Sequence, residues 1–368
     1  MGLKAASWVS RPSVGAVACG AVNGLGFDAR QTWAFWRAEA TPIAETPFRD
    51  ASSERAGMIA VRTLPPRLSG TARLVRLALE AVSQLARALK ELAPERVSFL
   101  VALPERYADG GGRAAERASI EGALGRWLAE QVGPQAGLHT VPRGPGGFAG
   151  AILEAGAALA RGSVDCVIAG GADTYWDGEV VEALLEQERL FTGENLDGFI
   201  PGEGAAFALL TAGGRAPIGL RLLAAAVDEE AAPAHGAVPS RAEALGRALR
   251  SAAEGVRSQR EARIDWLLGD VTNEGWRAHE MQLALPRALS PGGLDGGRGF
   301  RELIVPGART DMLPARFGDL GAATLPTALA VAAGAFAFGD PVATRCLAFA
   351  SSYGPDRGAL LLAPGEGG

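Results

Sequence analysis

Short apolar runs alternate with amphipathic stretches along the whole chain, and they do so twice in a similar order. In the first series 14–21 reads as a strand, 29–40 as a helix with Trp33 and Trp36 at i, i+3, and 71–92 as a long amphipathic helix. A strand at 97–103 and helices at 115–132 and 147–160 follow, with strands at 164–169 and 207–211 closing the series. After the turn-rich Ala212-Gly213-Gly214-Arg215-Ala216-Pro217 the pattern resumes with strand 218–227, helix 241–257, strand 264–270 and helix 276–289. Strand 303–306, helix 321–338 and a hairpin-like pair at 345–352 and 358–363 complete it. Strands alternating with helices specify an α/β architecture with mostly parallel sheets. Two series of similar order, each ending in a helix and a strand pair, point to an internal duplication with halves 1–214 and 215–368.

Composition narrows the function classes. The 368 residues suffice for two domain-sized units, and 48% hydrophobic against 21% charged residues supports a large core rather than disorder. A formal net charge of -5 argues against a protein that coats nucleic acid. Three cysteines, none in a short-spacing pair, exclude a disulfide scaffold and a thiolate zinc site and fit a reducing cytoplasm. No metal or cofactor is expected. No stretch reaches about eighteen uninterrupted apolar residues; the nearest, 322–338, carries Pro326 near its start and reads as a buried core helix. A membrane span and a signal peptide are therefore not expected, and the cytoplasm is the expected location. Loops are expected at 104–113, 144–147, 233–239 and 290–299.

Two stretches carry the strongest signal: Gly162-Ser-Val-Asp-Cys-Val-Ile-Ala-Gly-Gly-Ala-Asp173 and Gly198-Phe-Ile-Pro-Gly-Glu-Gly-Ala-Ala206. Gly170 and Gly171 are expected to leave a strand where backbone passes close to another element, and Gly202 and Gly204 to flank Glu203 in a tight turn. Glu203 itself reads as a buried carboxylate bonded by neighbouring amides. Together these stretches resemble the β-ketoacyl synthases of the thiolase superfamily. There a strand ending in Ala-Gly-Gly leads to a helix and then to a Gly-Phe-x-Pro-Gly-Glu-Gly-Ala turn. Gly20 to Gly26 with Thr32-Trp33, Asp270 to Glu280, Phe317-Gly-Asp-Leu-Gly-Ala-Ala323 and Ser352-Tyr-Gly354 extend the resemblance over nearly the whole chain. It implies a thiolase-like fold: two duplicated α/β halves forming a five-layer αβαβα core.

The resemblance also implies where chemistry would sit. Such a synthase needs a cysteine at a helix N-terminus and two histidines, or a histidine and an asparagine, to polarise the extender thioester. The nucleophile position falls at or beside Pro145, and no Cys, Ser or Thr lies between Val141 and Leu153. The other two positions fall near Gly269 or Asp270 and on Asp319, and the family's Gly-Phe-Gly-Gly gating loop is replaced by Gly354-Pro355-Asp356-Arg357. Asp270 and Asp319 are candidates for a carboxylate pair facing one cavity. Cys19, Cys166 and Cys346 read as packing residues. Of the histidines, His139 lies just upstream of the nucleophile loop and is a pocket candidate with Arg143, Gly144, Pro355 and Asp356, whereas His235 and His279 read as solvated or satisfied. Arg143-Gly-Pro-Gly-Gly lacks the ending of a phosphate loop and reads as a tight turn.

The expected function is a catalytically inactive ketosynthase-like protein, a chain-length-factor-like partner of an active acyl-condensing subunit. The alternatives are a scaffold built on a recruited thiolase fold, and an acyl- or thioester-handling transferase or hydrolase with a different residue set. Expected partners are a second copy or an active ketosynthase, and an acyl carrier protein. By resemblance, dimers would form through the strand after the nucleophile helix, 165–169.

Overall fold

The computed structural model describes residues 6–50, 52–133, 136–213, 216–234, 238–256, 263–289, 304–339 and 344–365. The chain begins with β1 (Ala6–Asn23), α1 (Ala29–Arg37), a hairpin of β2 (Ala44–Arg49) and β3 (Arg55–Met58), α2 (Gly70–Ser83) and α3 (Ala86–Leu92). It continues through β4 (Val97–Ala102), α4 (Ala114–Val132), β5 (Gly137–Val141), α5 (Gly144–Ala160), β6 (Cys166–Thr174), α6 (Gly178–Glu186) and β7 (Glu203–Thr211). Then follow β8 (Leu220–Glu229), α7 (Glu243–Ala253), β9 (Ile264–Gly269), α8 (Gly275–Leu289) and β10 (Ile304–Met312). A short α9 (Pro314–Phe317), α10 (Thr324–Ala337), β11 (Cys346–Ser351) and β12 (Asp356–Pro364) end it.

Ten strands join in the order β10-β9-β11-β12-β8-β1-β7-β6-β4-β5. Outward from the β1–β8 junction, both arms repeat one order of pairings: three antiparallel strands, then two neighbours added in parallel. The sheet is therefore mixed, not mostly parallel. The outer strands of each arm, β4–β5 and β9–β10, are joined by the crossover helices α4 and α8 and run parallel, whereas β11 and β12, joined by a short turn, run antiparallel.

Side-chain alternation explains the layers. On β4, Val97, Phe99 and Val101 pack under α2, α3 and α4, while Leu100 and Ala102 face the opposite core. On β11, Leu347 and Phe349 pack under α7 and α8, while Cys346, Ala348 and Ala350 face that same opposite core. Between the arms, that core is filled by α5 and α10. Three cores bounded by two sheet arms and three helix layers make the five-layer αβαβα arrangement. A helix between two sheets buries most of its surface, as α10 does along nearly its whole length and α5 does except around Glu154 and at its C-terminal end, which is why both are rich in small and apolar residues. Among the described residues no helix is long and apolar enough to cross a membrane.

Several boundaries depart from the sequence reading. The helix expected over 71–92 breaks after Ser83, because Gln84 turns its carboxamide to β1, where its Nε2 donates to Ala21 O and its Oε1 accepts from Ala21 N, each at 3.2 Å. Gly170 and Gly171 do not leave a strand: β6 runs on to Thr174, and Glu203 and Gly204 begin β7 rather than a turn. These glycines are required because a Cβ on Gly170 would lie 2.2 Å from Ala206 O and one on Gly202 would lie 2.2 Å from Phe317 O. The loop expected at 144–147 is the first turn of α5. Strand 303–306 is the start of the longer β10, and β2, β3, β5 and α6 were not read from the sequence. Both edges of β6 are hydrogen-bonded, to β4 and to β7, so strand 165–169 has no edge left for a partner. His235, Arg257, Leu303 and the 290–299 loop lie outside the described residues.

Candidate functional site

The site gathers where β4, β6, β9 and β11 end over the N-terminus of α5. Gly144 takes φ +68°, and Pro145 follows in the first turn, where a missing N–H costs least. Arg143 at the N-cap gives the helix no side-chain bond. The cap comes instead from the turn after β11: Ser352 Oγ accepts the Gly146 N–H at 3.0 Å and donates to Arg143 O at 2.7 Å. Pro145 has no amide hydrogen and that of Gly146 is taken, so this helix end lacks two of the donors an oxyanion would use.

Arg277, near the start of α8, is the hub. Its Nη1 donates to Asp270 Oδ2 at 2.6 Å and its Nη2 to Asp319 Oδ2 at 2.9 Å, with all three side chains at most 4% exposed. Asp270 Oδ2 also accepts from Ser351 N at 2.7 Å, and Asp319 Oδ1 from Gly321 N at 2.7 Å. The two aspartates thus share one site through a guanidinium rather than as a free carboxylate pair. Burial raises the Asp270 carboxyl to about 6, although Arg277 and the Ser351 amide pull it down. For Arg277, burial works against the charge, but Asp319, Asp270 and Glu274 outweigh it and hold the guanidinium firmly protonated.

Around this hub lies a cavity of about 280 Å³ lined by Glu105, Arg106, Pro145, Tyr175, Arg277 and Tyr353 among others. Glu105 Oε1 accepts from Gly354 N at 2.8 Å, and burial raises its carboxyl. Arg106 Nη2 donates to Asp173 Oδ1 at 2.8 Å, while Arg189 stacks 3.8 Å from the Tyr353 ring and donates to Glu274 Oε1 at 2.9 Å. Burial, with Asp319 and Asp173 nearby, lifts Tyr175 well above the ordinary phenol value. The turn after β11 is pinned as well: Arg357 Nη1 donates to Ser352 O at 2.9 Å and Gly354 O at 2.7 Å.

The residues singled out from the sequence divide into two groups. Gly144, Pro145, Asp270 and Asp319 meet at this site, and Arg143 adjoins it, with its Nε donating to Asp356 Oδ2 at 2.9 Å and its Nη2 bonding Glu229. Burial raises the Asp356 carboxyl against the pull of Arg143. Pro355 is exposed and only its carbonyl is used, accepting from Glu230 N at 2.8 Å. His139 is exposed on β5, opposite Leu100 of β4, and His279 is exposed on α8. Burial lifts the thiols of Cys19 and Cys166 to about 12 and Cys346 well above the ordinary value, so none is a ready nucleophile. Among the described residues, no cluster of three or more His, Cys, Asp or Glu side chains could hold a metal ion.

Glu105, Arg106, Tyr175, Arg189, Glu274, Arg277 and Tyr353 were missed by the sequence reading. Only Arg277 had a local signal: a cation seven residues after Asp270, at the start of the helix that the loop leads into.

No protein-family model and no curated protein matches the chain. Solved structures do. An oxazolomycin ketosynthase domain, OzmH KS7 from Streptomyces albus JA3453, superposes with a TM-score of 0.72 at 15% identity, over 97% of this chain and 76% of that one. A chain from the complex of the ketosynthase ApeO with its chain length factor ApeC from Xenorhabdus doucetiae gives 0.69 at 15% identity, over 96% and 98%. One from AntDE:AntF, a type II polyketide synthase acyl-carrier protein in complex with its ketosynthase bound to the hexaketide, gives 0.74 at 12% identity, over 97% and 100%. The chain has the thiolase-like α/β fold of these ketosynthase structures.

Proposed function

We propose that this protein is a non-catalytic ketosynthase-like subunit of the chain-length-factor kind, working in the cytoplasm beside an acyl-condensing partner and its acyl carrier protein. One observation carries the reading: Arg277 bonds Asp270 and Asp319 together beside a helix whose first turn holds Pro145. A thioester condensation needs a nucleophile, an oxyanion site and a polarising pair. The residues at the positions that the resemblance assigns to these roles are a proline, an amide already bonded to Ser352, and two carboxylates held by one arginine. The likeness to chains from ketosynthase–chain length factor complexes supports a paired state. Free cysteines at 19, 166 and 346 suit a reducing compartment. The halves 1–214 and 215–368 are proposed as copies of one ancestral unit.

The ends of the sheet favour one edge for pairing. β10 is blunted by Pro306, by Arg309 and Asp311, and by a register shift between Ile304 and Arg309. β5, Gly-Leu-His-Thr-Val, has no proline, lysine or bulge, and among the described residues no strand lies beside its outer edge. The partner is proposed to add there.

The test uses the purified full chain and an acyl carrier protein loaded with labelled acyl or malonyl groups. We expect no acyl transfer to the chain and no carbon dioxide release, and a stoichiometric complex with a cysteine-bearing ketosynthase when the chain is tagged in its own cells. Covalent acylation of the chain alone would overturn the reading.

A further inference from the structure

A second cavity, of about 400 Å³, lies behind the hub and is lined by Thr41, Ile59, Ile200, Thr272, Asn273 and Met312 among others. Among the described residues that line it none is charged, whereas arginines and carboxylates line the cavity over α5. The wall between the two is thin. Asp270 precedes Val271, which lines the second cavity, while its carboxylate bonds Arg277, which lines the first. Asp319 donates its N–H to the carbonyl of Ile200 on the second side at 2.8 Å, and its Oδ1 accepts from Gly321 on the first at 2.7 Å. Arg277 spans the gap between the two carboxylates.

We infer that Arg277 is a plug that divides one continuous passage into two blind pockets. The neutral lining of the second cavity fixes the class of molecule that would thread it: an uncharged one, since a charged one would lose hydration there without gaining a partner. The plug is fixed in place. Arg277 bonds both aspartates, lies 3.4 Å from Glu274 and sits 4.9 Å from the Trp276 ring, so withdrawing it would strand the buried carboxylates of Asp270 and Asp319, while Glu274 would keep its bond from Arg189. This deepens the non-catalytic reading by saying what closes the site, yet it concerns geometry and can fail independently of that reading.

Thiols placed on either side of the wall test it. Pro145→Cys puts one in the first cavity and Thr272→Cys one in the second, with Cys19→Ala removing the half-buried native thiol. A short-spacer bis-maleimide is added to this chain, to the same chain with Arg277→Ala, and to the same chain with Asp270→Asn, Arg277→Ala and Asp319→Asn. The last removes the plug without stranding charge and keeps the test open if Arg277→Ala does not fold. Circular dichroism establishes folding, and intact mass with peptide mapping reads the products. The inference expects single adducts while Arg277 is present and an intramolecular bridge once it is gone. An equal bridge with Arg277 in place, or none in the folded neutral variant, overturns it. Acyl transfer by the parent chain would overturn the proposed function and leave this result untouched.

Discussion

Arg73 and Glu203 meet as a two-point fork in the interior, Nε and Nη2 of the arginine each donating to a carboxylate oxygen at 2.6 Å, with 1% and 0% of the side chains exposed. Glu203 also accepts from Val61 N and from the Thr174 hydroxyl at 2.7 Å each, and the guanidinium lies 4.7 Å from the Trp176 ring. The pair ties α2 to the start of β7 and holds the Gly-Glu-Gly segment against the 61–68 loop. Glu203 is thus anchored mainly by a distant arginine rather than by neighbouring amides.

Removing one member of such a pair leaves a buried charge. Arg73→Met should cost about 3–5 kcal/mol in urea unfolding. Adding Glu203→Gln should recover much of that, because the carboxamide oxygen can still accept from Val61. Equal stability of the single and double variants would show that the pair is not coupled.

Asp270 sets a pH dependence. Its folded value of about 6 lies above the roughly 3.9 of an unfolded carboxyl. Between those values the folded chain holds a proton that the unfolded chain has released, so this group's contribution to stability falls as pH rises through the window and is recovered below it. Burial raises Glu105, Asp173, Glu230 and Asp356 in the same direction, so the parent slope is shared. Asp270→Asn should therefore flatten the curve of unfolding free energy against pH relative to the parent. Parallel curves would mean that Asp270 does not titrate there.

Two glycines of α5 should respond oppositely to alanine. A Cβ on Gly146 would stand 2.5 Å from Asp356 O, a backbone atom that cannot swing aside, so Gly146→Ala should cost about 1–3 kcal/mol or more. At Gly150 the nearest atom would be a Val227 methyl at 3.9 Å, and Gly150→Ala should add about 0.5–1 kcal/mol. Chemical denaturation of the two variants checks the contrast, which fails if both shift the same way.

The three native thiols should resist alkylation. Burial lifts them to about 12 for Cys19 and Cys166 and well above the ordinary value for Cys346. Iodoacetamide at mildly alkaline pH should leave the folded chain's mass unchanged and label all three cysteines in urea. Rapid labelling of any one in the folded state would identify a reactive thiol.

The architecture was legible because it rests on local periodicity. The alternation on β4 and β11 and the all-apolar faces of α5 and α10 can be read from consecutive residues, and the glycines of 162–173 and 198–206 mark close backbone approach. Where a boundary depended on a remote partner the reading failed: α2 ends where Gln84 reaches β1, and α5 begins earlier than expected because Ser352 caps it. The same holds at the site. Pro145, Asp270 and Asp319 could be singled out by resemblance, but Arg277 between the two aspartates could not.

By itself the sequence determined the α/β class, the two-series order and the residue types at the positions that would carry chemistry. Tertiary structure alone decided the mixed pairing of the sheet, the loss of both free edges of β6, and the pairing of every buried carboxylate at the hub with an arginine or an amide. The reason is range. Periodicity and glycine placement are properties of neighbours in the chain, whereas an ion pair such as Arg73–Glu203 joins residues 130 positions apart and takes form only when the chain folds back on itself.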